Sequence, residues 1–155
     1  MKNHIARFWI ILCSALFLFG CASQPERIAQ TTSGNPEVVI NGVDVEAVRS
    51  KLMELMMSGG LRVDSETPSR IVVSKEMEGF REGMMRMLLG NSYSTPVRVE
   101  LTFTLVKINE GVKVFAQMSA YTQMPLGQIN RMDLKGNTDF NDVQKFLNQL
   151  QNQYR

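Results

Sequence analysis

The second half of the chain contains two stretches in which apolar and polar residues alternate, and this period of two predicts two long β-strands. Successive side chains of a strand point to opposite faces of the sheet, so each stretch has one face for the core and one for solvent. A turn at 109–111 joins the stretches and predicts an antiparallel pair. The residues of the buried face are Val97, Val99, Leu101, Phe103 and Leu105, followed by Val112, Val114, Ala116, Met118 and Ala120.

The opposite face of this predicted pair carries Phe115, Tyr121 and Val106, which would form a small apolar patch. Exposed apolar atoms are common on folded proteins, so one interpretation gives the patch no role. The other interpretation makes it a contact site, and the sequence leaves both open.

Two further stretches repeat apolar residues every three or four positions, which predicts amphipathic helices. The first is predicted over 44–58, with Asp44 as its N-cap and Gly59 and Gly60 at its end. The second is predicted from Asp139 to about Tyr154, with Thr138 as its N-cap. Its expected solvent face consists of Asn148, Gln149, Gln151, Asn152 and Gln153, and its apolar stripe of Phe140, Val143, Phe146, Leu147, Leu150 and Tyr154.

Shorter apolar runs complete the predicted sheet. The residues 61–63 and 70–75 form a predicted hairpin around a turn at 65–68. The run 38–40 is either a short strand or the entry of the chain into the core, and 129–134 is a candidate short strand.

The segment 76–90 is rich in methionine and has helical spacing, but Gly79 and Gly83 weaken the predicted helix by about 1 kcal/mol each. One interpretation makes the segment a connector that packs on the core. The other makes it an adaptable surface for a partner, because methionine side chains repack easily. The candidate contact residues are Met77, Phe80, Met84 and Met87.

The first twenty residues have the layout of a secretory signal peptide. Lys2, His4 and Arg7 form a basic start, and an almost uninterrupted apolar run follows over 8–19. That run is shorter than the roughly 20 apolar residues that a membrane-spanning helix needs. A cleaved signal peptide is therefore the better interpretation.

The end of this segment, Leu18-Phe19-Gly20-Cys21, resembles the lipobox of bacterial lipoproteins. The resemblance implies that lipid is attached to the Cys21 thiol, that cleavage occurs between Gly20 and Cys21, and that the new amino terminus is acylated. The alternative is an ordinary signal peptide with a chance cysteine. In the lipoproteins that this motif resembles, Asp after the cysteine retains the protein at the inner membrane. Ala22 stands there instead, which favours the outer membrane and its periplasmic face.

The signal peptide, 1–20, is followed by residues 21–37, which are polar and contain Pro, Gly, Ser and Thr. We expect this segment to be the lipidated Cys21 followed by a flexible tether with a reach of roughly 20–25 Å. Residues 38–155 are expected to form one domain. The predicted fold class is α+β, with an antiparallel sheet of about four strands and two helices packed on one face. In outline this domain is similar to small periplasmic α+β lipoprotein domains.

The charge balance of the chain and its few histidines and cysteines exclude several classes of function. Removal of 1–20 takes away Lys2 and Arg7 but no acidic residue, so 17 basic residues become 15 against 15 acidic ones. A balanced chain without a basic cluster does not indicate nucleic-acid binding. The only histidine, His4, and the second cysteine, Cys13, leave with the signal peptide. Nucleophile chemistry based on Ser-His or Cys-His pairs and zinc sites built from Cys and His are thereby excluded.

We therefore expect a membrane-anchored lipoprotein that is not an enzyme and holds no cofactor and no metal. The expected function is a non-catalytic interaction module in envelope assembly, secretion or stress response, with a monomeric domain and an unidentified envelope protein as partner. The alternative is a carrier or binder of a lipid or another amphiphile, which would need an apolar groove between the sheet and the helices. A hydrolase is disfavoured because the mature domain has no histidine and no free thiol.

Overall fold

The computed structural model describes residues 31–91, 93–135 and 139–155, except the side chain of Phe80. The lipobox with Gly20 and Cys21, most of the predicted tether and the predicted cap Thr138 lie outside the described residues. The helices are α1 (Val45–Ser58), α2 (Gly79–Leu89) and α3 (Asp139–Asn152), and the strands are β1 (Glu37–Asn41), β2 (Arg62–Thr67), β3 (Arg70–Glu76), β4 (Arg98–Ile108), β5 (Gly111–Gln123) and β6 (Ile129–Asp133).

All strand pairs are antiparallel, and the strand order is β1-β5-β4-β3-β2. Strand β6 also pairs with β5. Glu37 of β1 lies opposite Phe115, and Asp133 of β6 lies opposite Ser119. The two short strands β1 and β6 therefore follow one another along the same edge of β5, with Gln117 between them.

The predicted α+β class is confirmed, but the expected counts of four strands and two helices are wrong. Within the described residues the sheet has six strands, and three helices accompany it. The two additional strands are short, and both pair with the long edge of β5. Strand β1 is far from β5 in the chain, whereas β6 follows β5 after a short turn. The additional helix is the methionine-rich segment, whose internal glycines made its helical pattern weak.

The core consists of two apolar clusters on one face of the sheet. Val112, Val114 and Ala116 of β5 belong to the first cluster, which α1 and α3 cover. Met118 and Ala120 belong to the second, against which α2 packs. These positions are two residues apart in one strand and point the same way, so all three helices contact the same face.

Helix α1 begins and ends as the sequence predicts. The Asp44 carboxylate accepts a hydrogen bond of 2.7 Å from the Ala47 N–H, which satisfies a free donor of the first turn. At the other end, the N–H groups of Gly60 and Leu61 donate to the carbonyls of Met57 and Met56. This is a Schellman motif, and it requires the positive φ of 76° that Gly60 adopts without steric cost.

Helix α3 covers the free edge of β1 with two glutamines. Gln144, which is buried, accepts from the Glu37 N–H (3.0 Å) and donates to the Glu37 carbonyl (3.1 Å). Gln151 donates to the Val39 carbonyl at 2.6 Å. The expectation that Gln151 belongs to a solvent face is therefore wrong, because the edge strand supplies a partner that the helical pattern does not reveal.

Candidate functional site

The methionine-rich helix α2 owes its position to contacts with the rest of the domain. Its N-cap residue, Glu78, makes no side-chain hydrogen bond to the helix, and Gly83 has nothing within 4 Å of where a Cβ would lie. Gly83 therefore gives no close helix packing. Met85 and Leu89, which are one turn apart, pack instead against the second core cluster. Tertiary contacts thus compensate for a sequence with weak helical propensity.

The opposite side of α2 is also apolar but faces solvent. Met84 is 52% exposed, Met87 84% and Leu88 71%. These residues are three and four positions apart, so they lie next to each other along one face of the helix. An ordinary surface helix carries charged or polar residues there. Helix α2 is consequently apolar on both sides, and only one side contacts the core.

The four candidate contact residues therefore do not share one environment. Met84 and Met87 lie on the exposed face, whereas Met77 is half-buried against the second core cluster. Met77 therefore packs on the core and lies before the helix, not on the exposed face of α2, and its role as a contact residue stays a prediction. The side chain of Phe80 lies outside the described residues. Leu88 was not singled out as a contact residue, although its spacing from Met84 already placed both on one face.

Three more exposed apolar residues lie at the same end of the sheet. The side chain of Asn130 donates a 2.7 Å hydrogen bond to the Leu89 carbonyl, which joins the start of β6 to the end of α2. Tyr93 lies in the loop after α2, Leu126 in the β5–β6 turn and Ile129 at the start of β6. We call five of these residues the apolar end: Met84, Met87, Leu88, Tyr93 and Leu126. Ile129 is not included, because it shares the polar face of the sheet with Arg131, two residues further along β6.

The charged residues of α2 form two ion pairs, one to α3 and one within the helix. Arg81 reaches the Asp139 carboxylate at the start of α3, with 2.5 Å between nitrogen and oxygen. The hydrogen bond and the charge of Asp139 raise the pKa of the Arg81 guanidinium. One turn further, Arg86 pairs with Glu82, whose carboxylate also accepts a 3.4 Å hydrogen bond from the Val97 N–H. The helix is therefore tied to both β4 and α3.

The face of the sheet opposite the helices is polar. Arg131 of β6 forms an ion pair with Glu100 of β4 and donates to the Ser119 hydroxyl between them. Its hydrogen bonds to Glu100 raise the pKa of the Arg131 guanidinium.

The predicted outer patch lies on this polar face, as its alternation indicated. Two of its residues are partly covered by cations: Lys113 lies 4.7 Å from the Phe115 ring and Arg131 5.4 Å from the Tyr121 ring. Val106 is exposed but lies at the far end of β4. The patch is therefore not a continuous apolar surface.

Among the described residues, no group of three or more His, Cys, Asp or Glu side chains is arranged to hold a metal ion. No helix among these residues has the length and apolar character needed to cross a membrane.

The chain was compared with known proteins at the levels of family, sequence and structure. No protein-family model matches it, and no curated protein and no solved structure does so either.

Proposed function

We propose that this chain is a membrane-anchored periplasmic lipoprotein, held at the outer membrane through Cys21, and that it acts as a non-catalytic interaction module. Its contact surface for an envelope protein is the apolar end. One observation carries the proposal: α2 exposes Met84, Met87 and Leu88 on one face while its other face is packed on the core. A helix held in this way presents a preformed apolar surface.

The chemistry of the apolar end suits protein recognition. Met84, Met87 and Leu88 lie next to each other on α2, and adjacent exposed apolar groups, in contrast to single ones, mark contact sites. Methionine is flexible and polarizable, so it adapts to an irregular partner surface. The ion pair of Arg81 with α3 and the hydrogen bonds from Val97 and Asn130 to α2 hold the helix in place, which reduces the entropy that binding must overcome.

The alternative function, a carrier for a lipid or another amphiphile, has less support. It needs an apolar groove between the sheet and the helices. In the described part of the chain, two apolar clusters occupy that interface. The cavity that opens on the opposite face is lined mainly by polar side chains. This arrangement suits a domain whose apolar contacts are made at its surface.

The proposal is tested by crosslinking in intact cells from within the apolar end. A photoreactive phenylalanine analogue placed at Tyr93 should give a discrete crosslinked product with an envelope protein. Met84→Ser combined with Met87→Ser should remove that product, because the partner loses the apolar area it buries. Both side chains are exposed, so the free energy of unfolding should change by no more than about 1 kcal/mol.

Two matched variants separate contact from stability. Met57→Ser changes a methionine on α1 whose exposure, 61%, lies between those of Met84 and Met87, and it should leave the crosslinked product unchanged. Met85→Ser changes the buried side of α2 and should lower the free energy of unfolding by about 1–3 kcal/mol. A crosslinked product that persists in the Met84/Met87 variant would refute the assignment of the apolar end.

A further inference from the structure

We propose that the notch between β1 and β6 is a binding site for a small molecule that carries an oxyanion, either a carboxylate or a phosphate. The notch is a cavity of about 270 Å³ that opens on the polar face of the sheet. It exists because β1 and β6 both pair with one edge of β5 but leave Gln117 between them. The site is separate from the apolar end and does not depend on the function proposed for it.

The strand register determines which side chains meet in the notch. Thr102 of β4 lies directly opposite Gln117 of β5, and these two residues form the floor. On one side, Arg131 and its partner Glu100 form a wall. On the other sides, Arg70 reaches in from β3 and Lys135 from the residues that follow β6. The register of four adjacent strands sets the positions of these residues except Lys135, which lies after β6.

Several polar groups of the notch have no partner among the described residues. The Arg70 guanidinium and the Lys135 ammonium make no ion pair there, in contrast to Arg131. The Thr102 hydroxyl makes no hydrogen bond there either, and it is accessible from the cavity. Polar groups that face a cavity without a protein partner are available to bind a ligand. A ligand in the notch would supply that partner.

The charges of the notch favour an anion. Its lining contains three cations, Arg70, Arg131 and Lys135, and two carboxylates, Glu100 and Asp133. Glu100 is already neutralised by Arg131, so the two unpaired cations exceed the one remaining carboxylate. A guanidinium presents its N–H donors in a planar fork that matches the geometry of a carboxylate or a phosphate. The volume lies at the lower limit of ligand pockets, which restricts the ligand to a small molecule.

The test is a titration of the full chain in a non-ionic detergent, followed by two-dimensional ¹H–¹⁵N NMR. Sodium phosphate and sodium acetate are the two probes, each compared with sodium chloride at equal ionic strength. We expect saturable shifts at the amides of Thr102, Gln117 and Ser119 with at least one probe. Stronger binding of phosphate identifies a phosphate ligand, and stronger binding of acetate identifies a carboxylate.

Three variants show whether the named groups bind the probe. Arg70→Gln and Lys135→Gln should each weaken the binding about tenfold, because each removes a charged donor. Lys75→Gln is the matched control, since Lys75 is an exposed lysine of β3 that does not line the notch. Thr102→Val removes only the unpaired hydroxyl, so it should weaken binding several-fold while the unfolding midpoint stays unchanged or rises.

The proposal is overturned if neither probe causes saturable shifts at the floor of the notch. It is equally overturned if Arg70→Gln and Lys135→Gln bind the probe as strongly as Lys75→Gln does. Both substitutions change exposed side chains, and the dispersion of the amide spectrum verifies in the same experiment that the variants are folded.

Discussion

Single residues decide how closely β1 can approach β5. A Cβ placed on Gly111 would lie 2.0 Å from the Ile40 carbonyl oxygen, a distance that no side chain tolerates. Gly111 is paired with Asn41 at the end of β1, where the two backbones are in direct contact. Glycine is thus required here for space, and any larger residue would displace β1 from the edge of the sheet.

Burial of individual leucines sets the cost of truncating them. Leu147 of α3 is fully buried in the first cluster, so Leu147→Ala should lower the free energy of unfolding by about 2–5 kcal/mol. Leu101 belongs to the predicted buried face but is only half-buried, so Leu101→Ala should lower the free energy of unfolding by less than Leu147→Ala does.

Equilibrium denaturation with urea measures both changes. Leu126→Ala is the control, since Leu126 is 99% exposed and its truncation should change the free energy of unfolding by less than about 0.5 kcal/mol. A loss at Leu147 as small as that at Leu126 would show that the core is placed wrongly.

At the scale of elements, the β1 edge and the β2 edge of the sheet are protected in different ways. The β1 edge is covered by Gln144 and Gln151 of α3, which occupy backbone groups that another strand could otherwise pair with. The β2 edge is exposed but carries the charged residues Arg62, Asp64 and Glu66, and its register shifts between Val63 and Ser65. Charges and bulges both discourage the addition of a further strand.

The covered edge yields a prediction for α3. Gln144→Ala should lower the free energy of unfolding by about 1–3 kcal/mol, because it leaves the N–H and the carbonyl of Glu37 without their partner. Hydrogen exchange at the Glu37 amide should accelerate at the same time.

Gln149→Ala is the matched control on the same helix. Gln149 is exposed, and its substitution should change the free energy of unfolding by less than about 0.5 kcal/mol. If the two variants unfold at the same urea concentration, the glutamines of α3 do not hold the edge strand.

At the scale of the whole molecule, the proposed surfaces are separated along β5. The notch lies around Gln117 and Ser119, whereas the apolar end lies beyond the end of β5 at Gln123.

The domain begins before the predicted boundary at Val38, because the Pro36 carbonyl accepts a hydrogen bond from the Ala116 N–H and Glu37 forms an ion pair with Lys113. The Ser33 hydroxyl and Lys113 together lower the pKa of the Glu37 carboxyl.

Anchoring through the lipobox is a prediction about the whole chain. Cys21→Ser should abolish lipid attachment and leave the precursor uncleaved, because Cys21 is the residue that carries the lipid in the motif it resembles. Labelling of growing cells with radioactive palmitate measures this. Cys13→Ser is the control and should be labelled and processed normally. Palmitate label that remains on the Cys21→Ser protein would contradict the lipoprotein assignment.

The elements of this domain could be predicted where their signal is local. The alternation that predicts β4 and β5 depends only on residues close together in the chain. The same holds for the N-cap of α1 and for the glycines at its end. For the same reason, the helical spacing of 84, 87 and 88 already indicated one shared face.

What the helices and strands contact could not be read from such patterns. Gln144 and Gln151 resemble other polar helix residues until β1 lies beside them, and Met77 resembles Met84 until the second cluster covers one of them. The notch likewise arises only when β1 and β6 meet on one edge of β5. Local patterns specify the faces of an element, whereas pairing between distant parts of the chain specifies what each face meets, because burial and hydrogen bonding depend on neighbours in space.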